Sequence, residues 1–172
     1  RLKKGMIKEF SIGENLVLKK DGNSLHRMST LRKASEEVIA EYEVRAPGPD
    51  IKTGSLSGGN QQKVVIAREI ASGRSVMIFS HPTRGVDINA EMFIHSEIVK
   101  ERNKGKAILL ISSDMEELLS LSDRLSVIYK GKIERTFDSN ELYAESQMPE
   151  QQDHRKEMLI NEIGKLMTGV SN

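Results

Sequence analysis

The sequence contains no cysteine. That excludes a disulfide framework and thiolate chemistry, and it is compatible with a reducing compartment. Neither sign of charge dominates: 26 basic and 25 acidic side chains leave a net charge of +1. Such a balance gives no electrostatic footprint for nucleic acid or for an anionic membrane surface. No apolar run approaches the length of a membrane span, and no stretch reads as a secretory signal. The histidines His26, His81, His95 and His154 lack metal-ligand spacing, so no zinc site is expected, and His95 reads as a surface or boundary residue. There is no internal repeat and no low-complexity segment. What remains is 172 residues, 30% of them charged, enough for one domain with a real core.

Taken in order, the chain begins basic and then offers Ser11 with Glu14 three places on, a capping box for a short helix. Lys19 to Asn23 reads as a turn through Asp21-Gly22. From about Ser29 to Tyr42 the pattern is helical, with Leu31, Ser35, Val38 and Tyr42 on one face. Pro47-Gly48-Pro49 stops that helix and opens a loop. The first third is therefore expected to be a helical sub-domain.

Later segments change rhythm. Val76 to Phe79 and Ala107 to Ser112 are short continuous apolar runs, as expected of strands buried on both faces of a parallel sheet. Between them Ala90 to Asn103 is helical, with Ala90, Ile94 and Ile98 in register and Gly105 as its stop. Asp114, with Glu117 three places on, caps a helix to about Ser120. Leu125–Tyr129 and Ile133–Phe137 flank Lys130-Gly131-Lys132 as a hairpin. Alternating strands and helices indicate an α/β sheet with right-handed crossovers. At the end, Glu145 to His154 reads as a polar connector. Lys156 to Met167 is an amphipathic helix, through Leu159, Ile163 and Leu166, expected to pack on the body.

Leu56-Ser57-Gly58-Gly59-Asn60-Gln61-Gln62-Lys63 is the stretch around which the chain is organised. Ser57 is a good N-cap, and the two glycines allow a tight turn and a close backbone approach. The apolar run that follows puts Ile66, Ala67, Ile70 and Ala71 on one helical face. A helix so begun leaves its first amides and positive dipole end uncovered, a seat for phosphate. Ser-Gly-Gly alone could be no more than a loop closing into a surface helix. All eight residues together resemble the signature motif of ATP-binding cassette (ABC) ATPases, and the Asn-Gln-Gln-Lys ending resembles the sugar and nucleoside importers.

That resemblance implies roles for other positions, beyond the carboxyl ends of the strands where open α/β sheets place their sites. The family has Asp-Glu-Pro-Thr after the strand Val76–Phe79, the Asp ordering Mg²⁺ and the Glu polarising the attacking water. Here the residues are Ser80-His81-Pro82-Thr83. Ser80 carries no charge to hold Mg²⁺, and His81, able in principle to accept a proton, is not the carboxylate of that mechanism. Ser113 stands where the switch histidine would contact the γ-phosphate. Arg84-Gly85-Val86-Asp87 matches the D-loop, in which Asp87 could cross to a second cassette, cap the next helix, or both. No Gly-x-x-x-x-Gly-Lys-Ser/Thr phosphate loop occurs. Tight ATP binding by this piece alone is therefore not expected.

The resemblance covers about Lys4 to Phe137, with a weaker echo near Ile163 to Gly169. It implies a partial P-loop NTPase: the carboxyl-terminal part of an ABC cassette, with a parallel sheet, a helical signature sub-domain, and the phosphate-loop strand missing. The first residue, Arg1 rather than methionine, fits an excised piece. The expected divisions are a helical sub-domain with the signature helix (1–72), an α/β remnant (73–137) and a helical tail (138–172). By the same resemblance, Ser57, Gly58, Gly59 and Asn60 would clamp the γ-phosphate of Mg-ATP held by the first cassette of the same subunit. That subunit would sit on the cytoplasmic face of the membrane, beside permease subunits and indirectly a solute-binding protein. The site at Ser80, His81 and Ser113 would be hydrolytically poor.

Two rivals stand beside this reading. One is a non-catalytic structural half. The other is a DNA-repair-type ABC head, opposed by the Asn-Gln-Gln-Lys ending, the neutral charge and the absence of coiled-coil heptads. In the family the phosphate-loop strand lies between the strands Ala107–Ser112 and Leu125–Tyr129. Its absence leaves a gap, or two apolar edges that invite self-association, or a direct pairing of those two strands.

Overall fold

A computed structural model of the chain describes residues 5–18, 28–143 and 149–169. The expected turn at Lys19–Asn23, like His26, lies outside them. The chain divides into two compact units, Arg1–Leu109 and Leu110–Asn172.

The first unit opens with helix α1 (Ile12–Val17), started by the capping box. Ser11 Oγ accepts from the Glu14 amide at 3.3 Å, and the Glu14 carboxylate accepts from the Ser11 amide at 2.7 Å. Hydrogen bonds from the Ser11 backbone and side chain hold the Glu14 carboxyl below its ordinary range. Helix α2 (Met28–Glu41) follows, with Ser35 buried and Tyr42 buried just past its end. The two helices meet at Gly13, where a side-chain carbon would lie 2.4 Å from the carbonyl oxygen of Leu31. Only a glycine permits that approach.

A 3₁₀ turn (Thr53–Ser55) leads into helix α3 (Gly58–Ala71). Fully buried Asn15 ties this turn to the loop before α1. Its Nδ2 donates to the carbonyls of Ile7 at 2.9 Å and Ser11 at 3.0 Å and to Thr53 Oγ1 at 3.1 Å, while its Oδ1 accepts from the Ile7 amide at 2.9 Å. Buried donors and acceptors so paired hold irregular backbone in place. On α3, Ile66 and Ala67 are buried as expected, but Ala71 is exposed. The inward face also takes in Gln61, Lys63 and Arg68, whose polar tips reach backbone carbonyls while their stems pack.

Strand β1 (Val76–Ser80), helix α4 (Ile88–Asn103) and strand β2 (Ala107–Ile111) complete a βαβ crossover. β1 and β2 pair in a small parallel sheet. Ala90, Ile94 and Ile98 are buried along α4, and Gly105, at φ 84°, ends it. The expected burial of both sheet faces is not what β1 has. Met77 and Phe79 are buried, whereas Val76 and Ile78 are 62% and 67% exposed. Side chains alternate across a strand, and among the described residues one face of β1 is covered and the other is not.

In the second unit, helix α5 (Met115–Leu121) precedes the hairpin of β3 (Leu125–Tyr129) and β4 (Lys132–Phe137). Lys130 and Gly131 both have positive φ, 45° and 81°, the two-residue turn whose twist matches paired strands. Two helices of the tail follow, a short α6 (Ser139–Tyr143) and a long α7 (Pro149–Thr168). α7 begins within the stretch expected as a connector, because a proline suits the first helical turn and its missing N–H costs nothing there. Ile163 enters a core with Leu119, Leu125, Val127 and Phe137, and Leu159 and Leu166 pack against it, as the periodicity anticipated.

The sheets are β1–β2 and β3–β4, each of two strands. Direct pairing of β2 with β3, one of the expectations for a sheet without its middle strand, does not occur among the described residues. Each pair is complete by its own local logic: a crossover in one case, a tight hairpin in the other.

Candidate site at the start of helix α3

The backbone turns into α3 at Ser57, which is extended (φ −60°, ψ 158°) and caps the helix. Its Oγ accepts from the Asn60 amide at 3.4 Å and from Asn60 Nδ2 at 2.9 Å. Ser57 and Gly58 are exposed, so the first turn faces outward, while Gly59 is buried. The reason is the neighbouring helix. A side-chain carbon at Gly59 would lie 2.9 Å from Ala90 Cβ and 3.1 Å from Asp87 Oδ2, whereas one at Gly58 would meet nothing nearer than the Gly85 carbonyl at 3.8 Å. The two glycines thus do different work.

Asp87 caps α4, its Oδ1 accepting from the Ala90 amide at 3.0 Å. Of the two roles open for it in the sequence, this is the one its hydrogen bond displays. Asp87 also lines, with Ser57, Gly59, Asn60 and Lys63, a cleft of about 690 Å³ completed by the turn at Glu43 to Arg45.

Reasoning from the sequence did not find that turn, nor the buried lysine behind it. Lys63 Nζ donates to the Glu43 carbonyl at 3.2 Å and sits 4.1 Å from the centroid of the Phe93 ring. Phe93 in turn meets Tyr42 edge-on, centroids 6.1 Å apart. Burial, with Glu41, Glu97 and Glu101 near it, pushes the Tyr42 phenol above its ordinary range and keeps it neutral. Glu43 itself has φ 49°, left-handed for a residue with a side chain. The only hint in the sequence was that Lys63 falls one turn after Asn60 on the same helix.

The other expected residues lie elsewhere. Ser80 is the exposed last residue of β1, and His81 follows it, half-buried and at φ 49°. Neither lines the cleft. Ser113 is an exposed residue of the second unit, between β2 and the Asp114 cap of α5. Among the described residues no group of three or more His, Asp or Glu side chains could hold a metal ion. None of their helices is long and apolar enough to cross a membrane.

Chemically, the cleft offers the Gly58 and Gly59 amides, which have no acceptor among the described residues, a hydroxyl cap and a buried ammonium group, a set suited to the oxygens of an anion. No family model matches the chain. It is 42% identical over 140 residues to the guanosine import ATP-binding protein NupO of Bacillus subtilis, covering 77% of this chain and 27% of that protein. It is also 42% identical over 153 residues to the ribose import ATP-binding protein RbsA of Lacticaseibacillus paracasei, covering 86% and 30%. The chain therefore spans less than a third of the length of these relatives. Its fold matches the ATP-binding cassette MJ0796, solved as a dimer in a post-hydrolysis state with ADP and Pi. The TM-score is 0.65 at 23% identity, over 78% of this chain and 59% of that one.

Proposed function

We propose that the chain, which is similar to the ATP-binding proteins of sugar and nucleoside importers and has the fold of an ABC cassette, supplies a signature motif in trans. Ser57, Gly58 and Gly59, with Asn60 behind them, meet the γ-phosphate of a Mg-ATP whose own phosphate loop lies in another cassette, the first of the same subunit. The observation that carries this reading is the outward-facing first turn of α3, capped by Ser57 and bedded on α4 through Gly59. Hydrogen-bond donors fixed before phosphate arrives stabilise developing charge without reorganising.

On this reading the chain works as part of the ATP-hydrolysing subunit of an importer. It sits peripherally on the cytoplasmic face of the membrane, with permease subunits and a solute-binding protein as partners. The position that would order Mg²⁺ is Ser80, and the position that would polarise water is His81. Neither supplies a carboxylate, so turnover at the Ser80–His81 position is poor and the motor is asymmetric. A second reading, a structural half that plays no part in hydrolysis, draws on the same pair, Ser80 and His81.

The deciding experiment grafts this chain in place of the matching segment of the guanosine importer's ATP-binding protein and measures ATPase activity with and without Ser57→Ala. The clamp requires a loss of roughly ten- to a hundredfold, the range for a hydrogen bond to a charged group. Unchanged turnover would leave the structural half as the better reading. His81→Ala, which removes no working base on this account, leaves turnover as it was.

A further inference from the structure

Asn60 stands inside the motif just proposed to meet phosphate, yet its side chain is already committed. Its Oδ1 accepts from the Arg45 amide at 2.9 Å, and its Nδ2 donates to Ser57 Oγ at 2.9 Å. Because Arg45 N–H can only donate, the carboxamide has one orientation, with its NH₂ toward the serine. Ser57 Oγ then accepts twice, from Asn60 Nδ2 and from the Asn60 amide. A hydroxyl has two lone pairs and one proton. With both lone pairs engaged, the proton is left to donate away from the helix, and Ser57 donates to no side chain or carbonyl among the described residues. Ser57 is exposed, so that direction is the open side of the cleft.

We infer that Asn60 is a positioning residue: it turns the Ser57 proton outward as a donor for phosphate and ties that serine to the turn 43–45. The inference rests on the signature reading of the same cleft. The turn needs the tie because Glu43 holds a left-handed backbone conformation that a side chain disfavours. Two groups one helical turn apart hold it. Asn60 takes the Arg45 amide, and Lys63 Nζ reaches the Glu43 carbonyl at 3.2 Å. The segment directly after α2 is thereby joined by hydrogen bonds to the serine that meets the ligand. An anion that tightens on Ser57 also tightens the turn after α2.

The test uses the 172-residue chain, with inorganic phosphate as the probe, followed by NMR at the Gly58 and Gly59 amides. Ser57→Ala and Asn60→Ala should each raise the phosphate midpoint by about fivefold, the worth of one net hydrogen bond. The double variant should raise it no further, because Asn60 acts through Ser57. Exchange of the Arg45 amide should speed about tenfold or more in Asn60→Ala and stay slow in Asn60→Asp, whose carboxylate still accepts from that amide. If Ser57→Ala weakens phosphate binding and Asn60→Ala does not, the inference is wrong while the clamp survives. Multiplying effects in the double variant would also overturn it, by showing an independent role for Asn60. If phosphate leaves both glycine amides unmoved in the unaltered chain, the clamp and the inference fall together.

Discussion

Gly59 and Ala90 approach so closely that a side-chain carbon on the glycine would lie 2.9 Å from Ala90 Cβ. The second glycine of the motif is therefore the place where α3 is seated on α4, and Gly58 beside it has open space. Gly59→Ala should lower stability by about 1–3 kcal/mol, the usual penalty for overpacking. Gly58→Ala should leave stability within about 0.5 kcal/mol or raise it, since alanine is the better helix former. Thermal unfolding of the two variants separates them. Equal melting temperatures would mean that the α3–α4 contact is not as tight as described.

Asn15 is the polar centre of the loop that precedes α1. Asn15→Leu keeps the branched shape but leaves the part-buried Ile7 amide without the acceptor it has at 2.9 Å, while the Ile7 and Ser11 carbonyls each lose one donor and keep another. The expected cost is about 1–3 kcal/mol, the penalty for leaving one amide without its acceptor. Urea unfolding should show a lower midpoint with an unchanged slope.

Glu101 gives the chain an acid-sensitive contact. Burial alone would raise its carboxyl, but hydrogen bonds from Lys104 and Lys106 outweigh that and hold it below its ordinary range. A depressed carboxyl contributes stability that is complete above the unfolded value, about 4.3, and is lost as pH falls through the folded value. Melting temperature should accordingly drop below about pH 4. Glu101→Gln should be less stable at pH 7 and should flatten that part of the acid limb. A parallel pH profile in the variant would assign the acid loss to other carboxylates.

Ile163 joins α7 to the hairpin through the core of the second unit. Ile163→Ala should cost about 2–5 kcal/mol by opening a cavity under β3 and β4. Hydrogen exchange should then speed at the hairpin amides as well as in α7. Acceleration confined to α7 would show that the hairpin stands without it.

Much of this structure follows from short-range signals. Ser11 with Glu14, Asp87 before Ala90, Asp114 before Glu117 and Lys130-Gly131 each carry their own geometry, so caps and hairpin could be read residue by residue. The periodicity of Leu159 and Ile163 was equally local. What could not be read depends on partners distant in sequence. Gly13 is explained only by the Leu31 carbonyl, Asn15 by Thr53, and Gly59 by Ala90. The exposed Val76 and Ile78 show the reverse limit: an apolar run states that two faces want covering, not that both are covered. At the site, the motif announced Ser57 and the glycines. It said nothing of the turn at Glu43 to Arg45, because nothing local marks a segment whose role is to be held by Asn60 and Lys63.

The central claim is that this chain completes a nucleotide site built elsewhere and has none of its own. Calorimetric titration of Mg-ATP into the chain by itself tests it most directly. The account predicts heats of dilution only at submillimolar ATP, because no phosphate loop is present to cradle the nucleotide. Saturable binding at submillimolar ATP, one nucleotide per chain, would show that the chain has a nucleotide site of its own and would contradict it.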